Sequence, residues 1–345
     1  MCAPNHSRIG ARTSYLSCLS EHWWNTAVTA RPWVHTGGSP LSSDLWKAAM
    51  SSPSSPTTAA TDQGMVLTLS CPNQKGIVHA VTGALLEVEA DITESQQFDS
   101  PDTGTFFMRV EFHGPATRDQ VKTVLDPVRE RFGMELGLWE ATRRTRTLVM
   151  CSKDGRTLND LLFQQRAGTL PIEIPVIVSN HLELQSMASF YGVPFVHIPV
   201  VKGSTINSKE QAEQRLMDLV RQYEIELVVL ARYMQVLSDD LCRSLEGRAI
   251  NIHHSFLPSF KGARPYHQAH DRGVKLIGAT AHYVTADLDE GPIIEQEVQR
   301  VTHAQTTQDL VNRGREVEGA TLCRAVRWHA QHRVLLDGHR TVVFN

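Results

Sequence analysis

Apolar positions along this chain fall into three regimes. Up to Gly64 they follow no sustained helix or strand period. From Val66 to Trp139 short strand-like runs flank two stretches of helical spacing. They read as strand Val66–Cys71, helix Gly76–Glu89 with Ile77, Val81 and Leu85 on one face, and strand Ile92–Phe98. Strand Phe106–Phe112, helix Arg118–Phe132 with Val121, Val124, Leu125 and Val128, and strand Met134–Trp139 follow. Ser100-Pro101-Asp102-Thr103-Gly104 supplies the turn between the middle strands. This βαββαβ order predicts a small ferredoxin-like unit. From Thr147 onward the strand-like runs are continuously apolar: Leu148–Cys151, Ile174–Val178, Phe195–Pro199, Leu227–Leu230, Ala249–Ile252 and Leu276–Val284. Helical spacing fills the gaps at 157–167, 181–191, 208–223 and 237–246. Strands of that kind alternating with helices predict a doubly wound α/β domain whose mostly parallel sheet is covered on both faces. Its ligand is expected at the carboxyl ends of the strands. A long polar helix around Thr306 to His332 and a hairpin about Asp337-Gly338 close the chain.

The length, 345 residues, exceeds what one hydrophobic core organises, in keeping with two folded parts and an appendage. Residues 1–64 hold four of the six tryptophans, and Ser51 to Thr61 has the polar Ser-Pro-Thr composition of a linker that buries too little to offset its ordering entropy. They are expected to be a disordered or artefactual extension, with translation beginning at Met50 the simplest account of residues 1–49. The alternative is a mitochondrial presequence, for which Arg8, Arg12 and Arg31 are the basic residues; an apolar secretory core is missing. Formal charge is −3, from 34 Lys plus Arg against 37 Asp plus Glu, which argues against a nucleic-acid partner. No run of apolar residues is long enough for a membrane span. Six cysteines without a Cys-x-x-Cys pair suit a reducing compartment, and a cytoplasmic location is expected.

The densest polar chemistry begins at Asn251, in Asn-Ile-His-His-Ser-Phe-Leu-Pro. Residues i and i+2 of a strand share a face, so Asn251 and His253 point into one cleft while His254 points away. An Asn amide and an imidazolium both donate hydrogen bonds and suit the oxyanion of a tetrahedral intermediate. Asp289 follows in a polar loop ending Glu290-Gly291-Pro292. A carboxylate there would hold His253 charged and could take a proton from water, although an Asp in such a loop is also common turn chemistry. Metal binding is the other reading of His253, His254, His267, His270 and His282, but no recognised ligand spacing accompanies them and no metal is expected. The turn Ser152 to Leu158, where a nucleotide-binding relative places glycines, carries one glycine and Asp154, a poor phosphate cradle.

Asn251, His253 and Asp289 match the catalytic trio of the folate-dependent formyltransferases, with Thr280 and His282 where that family has Ser or Thr and His. The segments Val228 to Leu237, Lys261 to Ala269 and Gly278 to Val284 resemble more specifically the formyltetrahydrofolate deformylases. Likewise Cys71 to Val78 resembles the first strand-to-helix turn of ACT domains, amino-acid-binding regulatory modules, although Asn73 stands where an aspartate is common. The resemblance implies a division into an ACT-like regulatory domain (65–146) and a formyltransferase-like catalytic domain (147–345). It implies hydrolysis of 10-formyltetrahydrofolate to formate and tetrahydrofolate, supplying formate for purine synthesis and balancing one-carbon pools; formyl transfer to an amine acceptor is the alternative. Catalysis falls to Asn251, His253 and Asp289, and the folate slot to Met234, Leu237, Thr280, His282, Asp287 and Gly291. Asn73, Gly76 and Ile77 would hold an amino-acid effector such as glycine or methionine. The folate is the substrate, so no cofactor is expected, and a homo-oligomer is.

Overall fold

Caps and turns mark most element ends where the sequence puts them. The computed structural model describes residues 63–201, 203–257 and 265–345, and these belong to one compact unit, Thr58–Asn345. The expectations for residues 1–49, for the linker and for a presequence lie outside the described residues.

The first part comprises β1 (Gln63–Pro72), α1 (Ile77–Glu87), β2 (Asp91–Ser100), β3 (Thr105–Gly114), α2 (Arg118–Phe132) and β4 (Glu135–Glu140). Its sheet has the order β2-β3-β1-β4, with antiparallel neighbours. Central β1 buries Met65, Leu67, Leu69 and Cys71 against Ile77, Val81 and Leu85 of α1 and Val121 and Leu125 of α2. Thr117 and Gln120 form a reciprocal capping box at the start of α2, and Gly133, at φ 62°, ends it.

The second part comprises β5 (Thr145–Cys151), α3 (Arg156–Arg166), β6 (Ile172–Ser179), α4 (Gln185–Tyr191), β7 (Phe195–His197), α5 (Lys209–Gln222) and β8 (Leu227–Ala231). It continues through α6 (Asp239–Ser244), β9 (Ala249–His253), α7 (Pro265–Asp271), β10 (Leu276–Tyr283), β11 (Ile293–Arg300), α8 (Thr307–Ala330), β12 (Val334–Asp337) and β13 (Arg340–Val343). Seven strands form one sheet in the order β11-β10-β9-β8-β5-β6-β7. β5 to β9 pair in parallel, and alternate residues feed two cores. Val149 and Cys151 meet α3 and α8 on one face, while Leu148 and Met150 meet Leu216 and Val220 of α5 on the other. This is an α/β fold with a mostly parallel central sheet.

Two features differ from the sequence reading. β10 runs antiparallel to β9, and β11, which the hydrophobic pattern does not announce, pairs antiparallel at the edge. The long helix α8 is far from uniformly polar: Leu310, Gly314, Val317, Thr321, Leu322, Ala325 and Val326 are buried along it, against the sheet.

The open face of the four-stranded sheet meets the C-terminal residues. Arg109, 2% exposed, binds Glu94 (2.8 Å), Glu111 (3.0 Å) and the Gln331 carbonyl (3.3 Å). Arg333 also binds Glu94 (2.9 Å), and Trp139 stacks on His332 with ring centroids 3.8 Å apart.

Candidate active site

In the sheet order, β5 and β8 mark the point where successive strands depart in opposite directions, and a crevice opens there. A cavity of about 270 Å³ lies beside it, bounded by the segment after β8, by the end of β9 and by the loop from β10 to β11. Its lining is apolar through Leu230, Met234, Val236, Leu237, Val284 and Leu288 and polar at one end. Met234, Val236 and Leu288 are largely exposed, leaving an apolar wall open to a flat ring system. Ser152, buried after β5, accepts a hydrogen bond from the Met234 amide (3.1 Å) and donates to Asn180 (2.7 Å), which fixes the segment after β8 against the sheet.

The polar end gathers residues from two strands and a loop. Antiparallel pairing sets His282 opposite Asn251 and Thr280 opposite His253. Asn251 Nδ2 lies 3.3 Å from His282 Nε2. His282 Nδ1 lies 2.9 Å from its neighbour's carbonyl, that of Tyr283. With Nδ1 turned to that carbonyl, Nε2 faces both the Asn251 amide and the Asp289 carboxylate. His253 Nδ1 is 3.2 Å from Asp289 Oδ2, and Asp289 Oδ1 is 3.7 Å from His282 Nε2. His253 Nε2, on the other side of the ring, is buried and has no hydrogen-bond partner among the described residues. Asp289 occupies the left-handed region at φ 58°, where the short polar side chain of Asp is among the better tolerated. Burial alone would raise its pKa; hydrogen bonds from His253 and His282, with the charges of those rings, outweigh burial and hold it well below the usual carboxylate range.

Asn251, His253, His282 and Asp289 thus come together, and Met234, Leu237 and Asp287 line the same cavity. Thr280 and Gly291 do not. Thr280 is fully buried, accepting from the Leu257 amide (3.2 Å) and from Gln296 Nε2 (3.0 Å) and donating to the Ser255 carbonyl (3.1 Å), so it braces the chain beyond β9. Gly291 lies beneath the loop, where a Cβ would sit 1.8 Å from the Tyr283 oxygen. His254, expected to point away, also lines the cavity, because β9 ends at His253 and pleat alternation stops with it. Burial, then the charges of Arg232 and His253, push its pKa down to about 3 and leave it neutral. Arg232, at φ 62°, is a further wall residue without a role in the sequence reading.

At the other predicted site, Gly76 has φ 95° and precedes α1, Asn73 is exposed, and Ile77 puts its side chain in the core, leaving only its backbone at the helix start. Among the described residues no group of three or more His, Cys, Asp or Glu is placed to hold a metal ion, and no helix is long and apolar enough to cross a membrane. Cys71, Cys151, Cys242 and Cys323 are buried free thiols.

Residues 145–326 match the formyl transferase family model. The chain is 51% identical over 281 residues to the formyltetrahydrofolate deformylase of Corynebacterium sp. (strain P-1), covering 81% of this chain and 97% of that one. A crystal structure of formyltetrahydrofolate deformylase from Burkholderia mallei ATCC 23344 superposes with a TM-score of 0.78 at 47% identity, over 82% of this chain and all (100%) of that one. Glycinamide ribonucleotide transformylase 1 from Symbiobacterium toebii aligns more narrowly, at TM-score 0.55 and 30% identity over 61% of this chain and 98% of that one.

Proposed function

The chain belongs to the formyltetrahydrofolate deformylase family, and on that premise we propose that Asn251, His253 and Asp289 are its catalytic residues. The activity of the family is hydrolysis of 10-formyltetrahydrofolate to formate and tetrahydrofolate, and this chain is a hydrolase of that kind.

One observation carries the assignment of residues: His253 presents at the cavity a buried Nε2 with no partner among the described residues, while Asp289 holds its Nδ1. The N10-formyl group enters the polar end with its carbonyl oxygen toward His253 Nε2 and the second N–H of Asn251. Water attacks the formyl carbon as Asp289 takes a proton. Charge develops on the oxygen, where the two donors are already aimed, so they stabilise the transition state more than the ground state. Collapse breaks the bond from carbon to N10, which is protonated as tetrahydrofolate leaves. The ring system lies along Met234, Leu237, Val284 and Leu288, with the loop that carries Asp287 as one wall. The folate brings its own formyl group and the side chains supply the acid–base chemistry, so no cofactor enters this scheme.

Residues 65–146 are assigned as an ACT-like regulatory domain and 147–345 as the catalytic domain. The βαββαβ order and the left-handed Gly76 beside exposed Asn73, at the start of α1, support that reading. An amino acid such as glycine or methionine binding there, at an interface between subunits of a homo-oligomer, would have to differ in affinity between two states to regulate turnover. Titration calorimetry with both amino acids tests it, and absence of heat with either would count against it. The reading also puts the enzyme in the cytoplasm, releasing formate for purine synthesis. The direct test of the chemistry is formate and tetrahydrofolate production from 10-formyltetrahydrofolate without an amine acceptor, and its loss in Asn251→Ala and His253→Ala.

A further inference from the structure

Hydrolysis and formyl transfer share everything except the nucleophile, so whatever confines the reaction to water must govern what reaches the formyl carbon. Resting on the hydrolytic reading, we propose that the buried cluster of Arg232, Glu318 and Tyr266 is the specificity-determining wall that keeps amine acceptors from that carbon.

The cluster has an opening near each end. On one side is the cavity holding the trio, which Arg232 lines. On the other, beyond the turn after β5, a polar depression of about 550 Å³ is lined by Lys153, Asp154, Arg156, Asn312, Arg315 and Glu316. An open α/β sheet receives ligands in such a crevice, at its switch point, and of the cations here Lys153 pairs with Glu183 (3.2 Å) and Arg156 with Asp160 (3.3 Å). Asp154 already takes up part of this chemistry, pairing with Arg315 (2.9 Å) and accepting from the Arg156 backbone amide (3.1 Å) at the start of α3.

Glu318 lies one turn along α8 from Arg315, on the same side of the helix. It is 1% exposed, and its two oxygens accept from Arg232 Nη1 at 2.9 and 2.8 Å. The Tyr266 hydroxyl donates to it at 2.5 Å. Gly314 makes the third contact fit, since a Cβ there would sit 2.1 Å from the Tyr266 ring. Bonded to one another, Arg232, Glu318 and Tyr266 would then close the cavity on the side that faces α8.

Stability alone does not explain this construction. A buried ion pair is often no better than apolar packing of equal volume. Arg232 also bears a left-handed φ of 62° and a buried Nε with no hydrogen-bond partner among the described residues. Unfavourable local features of this kind are retained chiefly at functional sites. Water passes where an amine on a larger body does not.

The test is a partition experiment with excess glycinamide. In transfer, its nitrogen bonds to the formyl carbon, the bond from carbon to N10 breaks, and the proton lost by the amine ends on N10, giving N-formylglycinamide and tetrahydrofolate. Wild-type enzyme should release formate and tetrahydrofolate one for one. The double variant Arg232→Gly/Glu318→Ala removes both charges together, and glycine suits the left-handed backbone at 232. Its share of N-formylglycinamide per tetrahydrofolate should rise at least about tenfold, the scale at which a pocket wall discriminates between ligands of different size. Because the readout is a ratio, a slower enzyme still reports it. Should the double variant fail to fold, Arg232→Gly alone, with Glu318 still bonded to Tyr266, should raise the ratio in the same direction by less. A wild-type ratio in both variants overturns the proposal, as does loss of tetrahydrofolate release from folded variants, which would make the cluster part of the catalytic machinery. Formate release by the wild type without glycinamide tests hydrolysis separately.

Discussion

Replacing Asp289 by asparagine removes one charge from the polar end of the cavity and leaves its shape almost unchanged. The carboxylate lies 3.2 Å from His253 Nδ1 and 3.7 Å from His282 Nε2. Unit charges at such separations attract by about 5 kcal/mol at an effective dielectric of about 20. Desolvation of two groups that are only 5% and 15% exposed takes back much of this, leaving about 1.5–3 kcal/mol, the usual range for a hydrogen bond to a charged group. The variant loses that hold on the imidazole and, on the proposed mechanism, the acceptor for the proton of the attacking water, a role worth ~10²–10⁴ in rate. Formate release should therefore fall in kcat by about two to four orders of magnitude, with KM nearly unchanged, because the proposed folate slot is the apolar wall rather than Asp289. Stability supplies a second readout. The pKa of Asp289 is depressed in the folded protein, so its contribution is complete above the ordinary value of 3.8 and is lost as pH falls through the lower folded value. The gap in Tm between wild type and variant should thus be full at neutral pH and close on acidification below 3.8. Near-normal kcat in Asp289→Asn would refute the base role, and a raised KM at unchanged kcat would make the loop a binding element only.

Three other substitutions test separate parts of the structure. Asn251→Ala removes one oxyanion donor and should lower kcat about a hundredfold or more with little change in Tm; unchanged kcat with a lower Tm would reduce Asn251 to a brace of the strand end. In Gly291→Ala the new methyl would meet the Tyr283 oxygen at 1.8 Å, so the loop bearing Asp289 must shift; thermal unfolding should show a loss of about 1–3 kcal/mol, accompanied by a fall in kcat. Arg109→Ala removes the buried cation shared by Glu94 and Glu111, with Arg333 still on Glu94, and should destabilise by about 1.5–3 kcal/mol, with Tm as the readout; a change below about 0.5 kcal/mol would mean that the sheet docks without it.

Asn251 and His253 are legible as a pair because a strand pleat fixes where residues i and i+2 point, wherever the strand comes to lie. The same rule fails one residue later, at His254, since it holds only while β9 continues. Sheet order and direction are harder to read. Leu276 to Tyr283 is almost continuously buried and so reads like a parallel core strand, yet it runs antiparallel, because burial on both faces carries no information about direction. β11 escapes the pattern for the opposite reason: Ile-Ile-Glu-Gln-Glu-Val-Gln-Arg is an edge strand with one neighbour and little apolar signal. Glu318 could have been found. Leu310, Gly314, Val317 and Thr321 recur at helical spacing, and an acid on that face must have a buried partner. Its partner could not, since no periodicity connects Arg232, at the end of a strand, with a helix 86 residues later. Gly291 and Thr280 show the same limit from the other side. Each stands close to the chemistry along the chain, yet neither lines the cavity: Thr280 is held by Gln296 and Leu257, and Gly291 is packed where an added Cβ would meet the Tyr283 oxygen. Positions set by local geometry carry over from sequence to site; positions set by which segments close on one another require the tertiary structure.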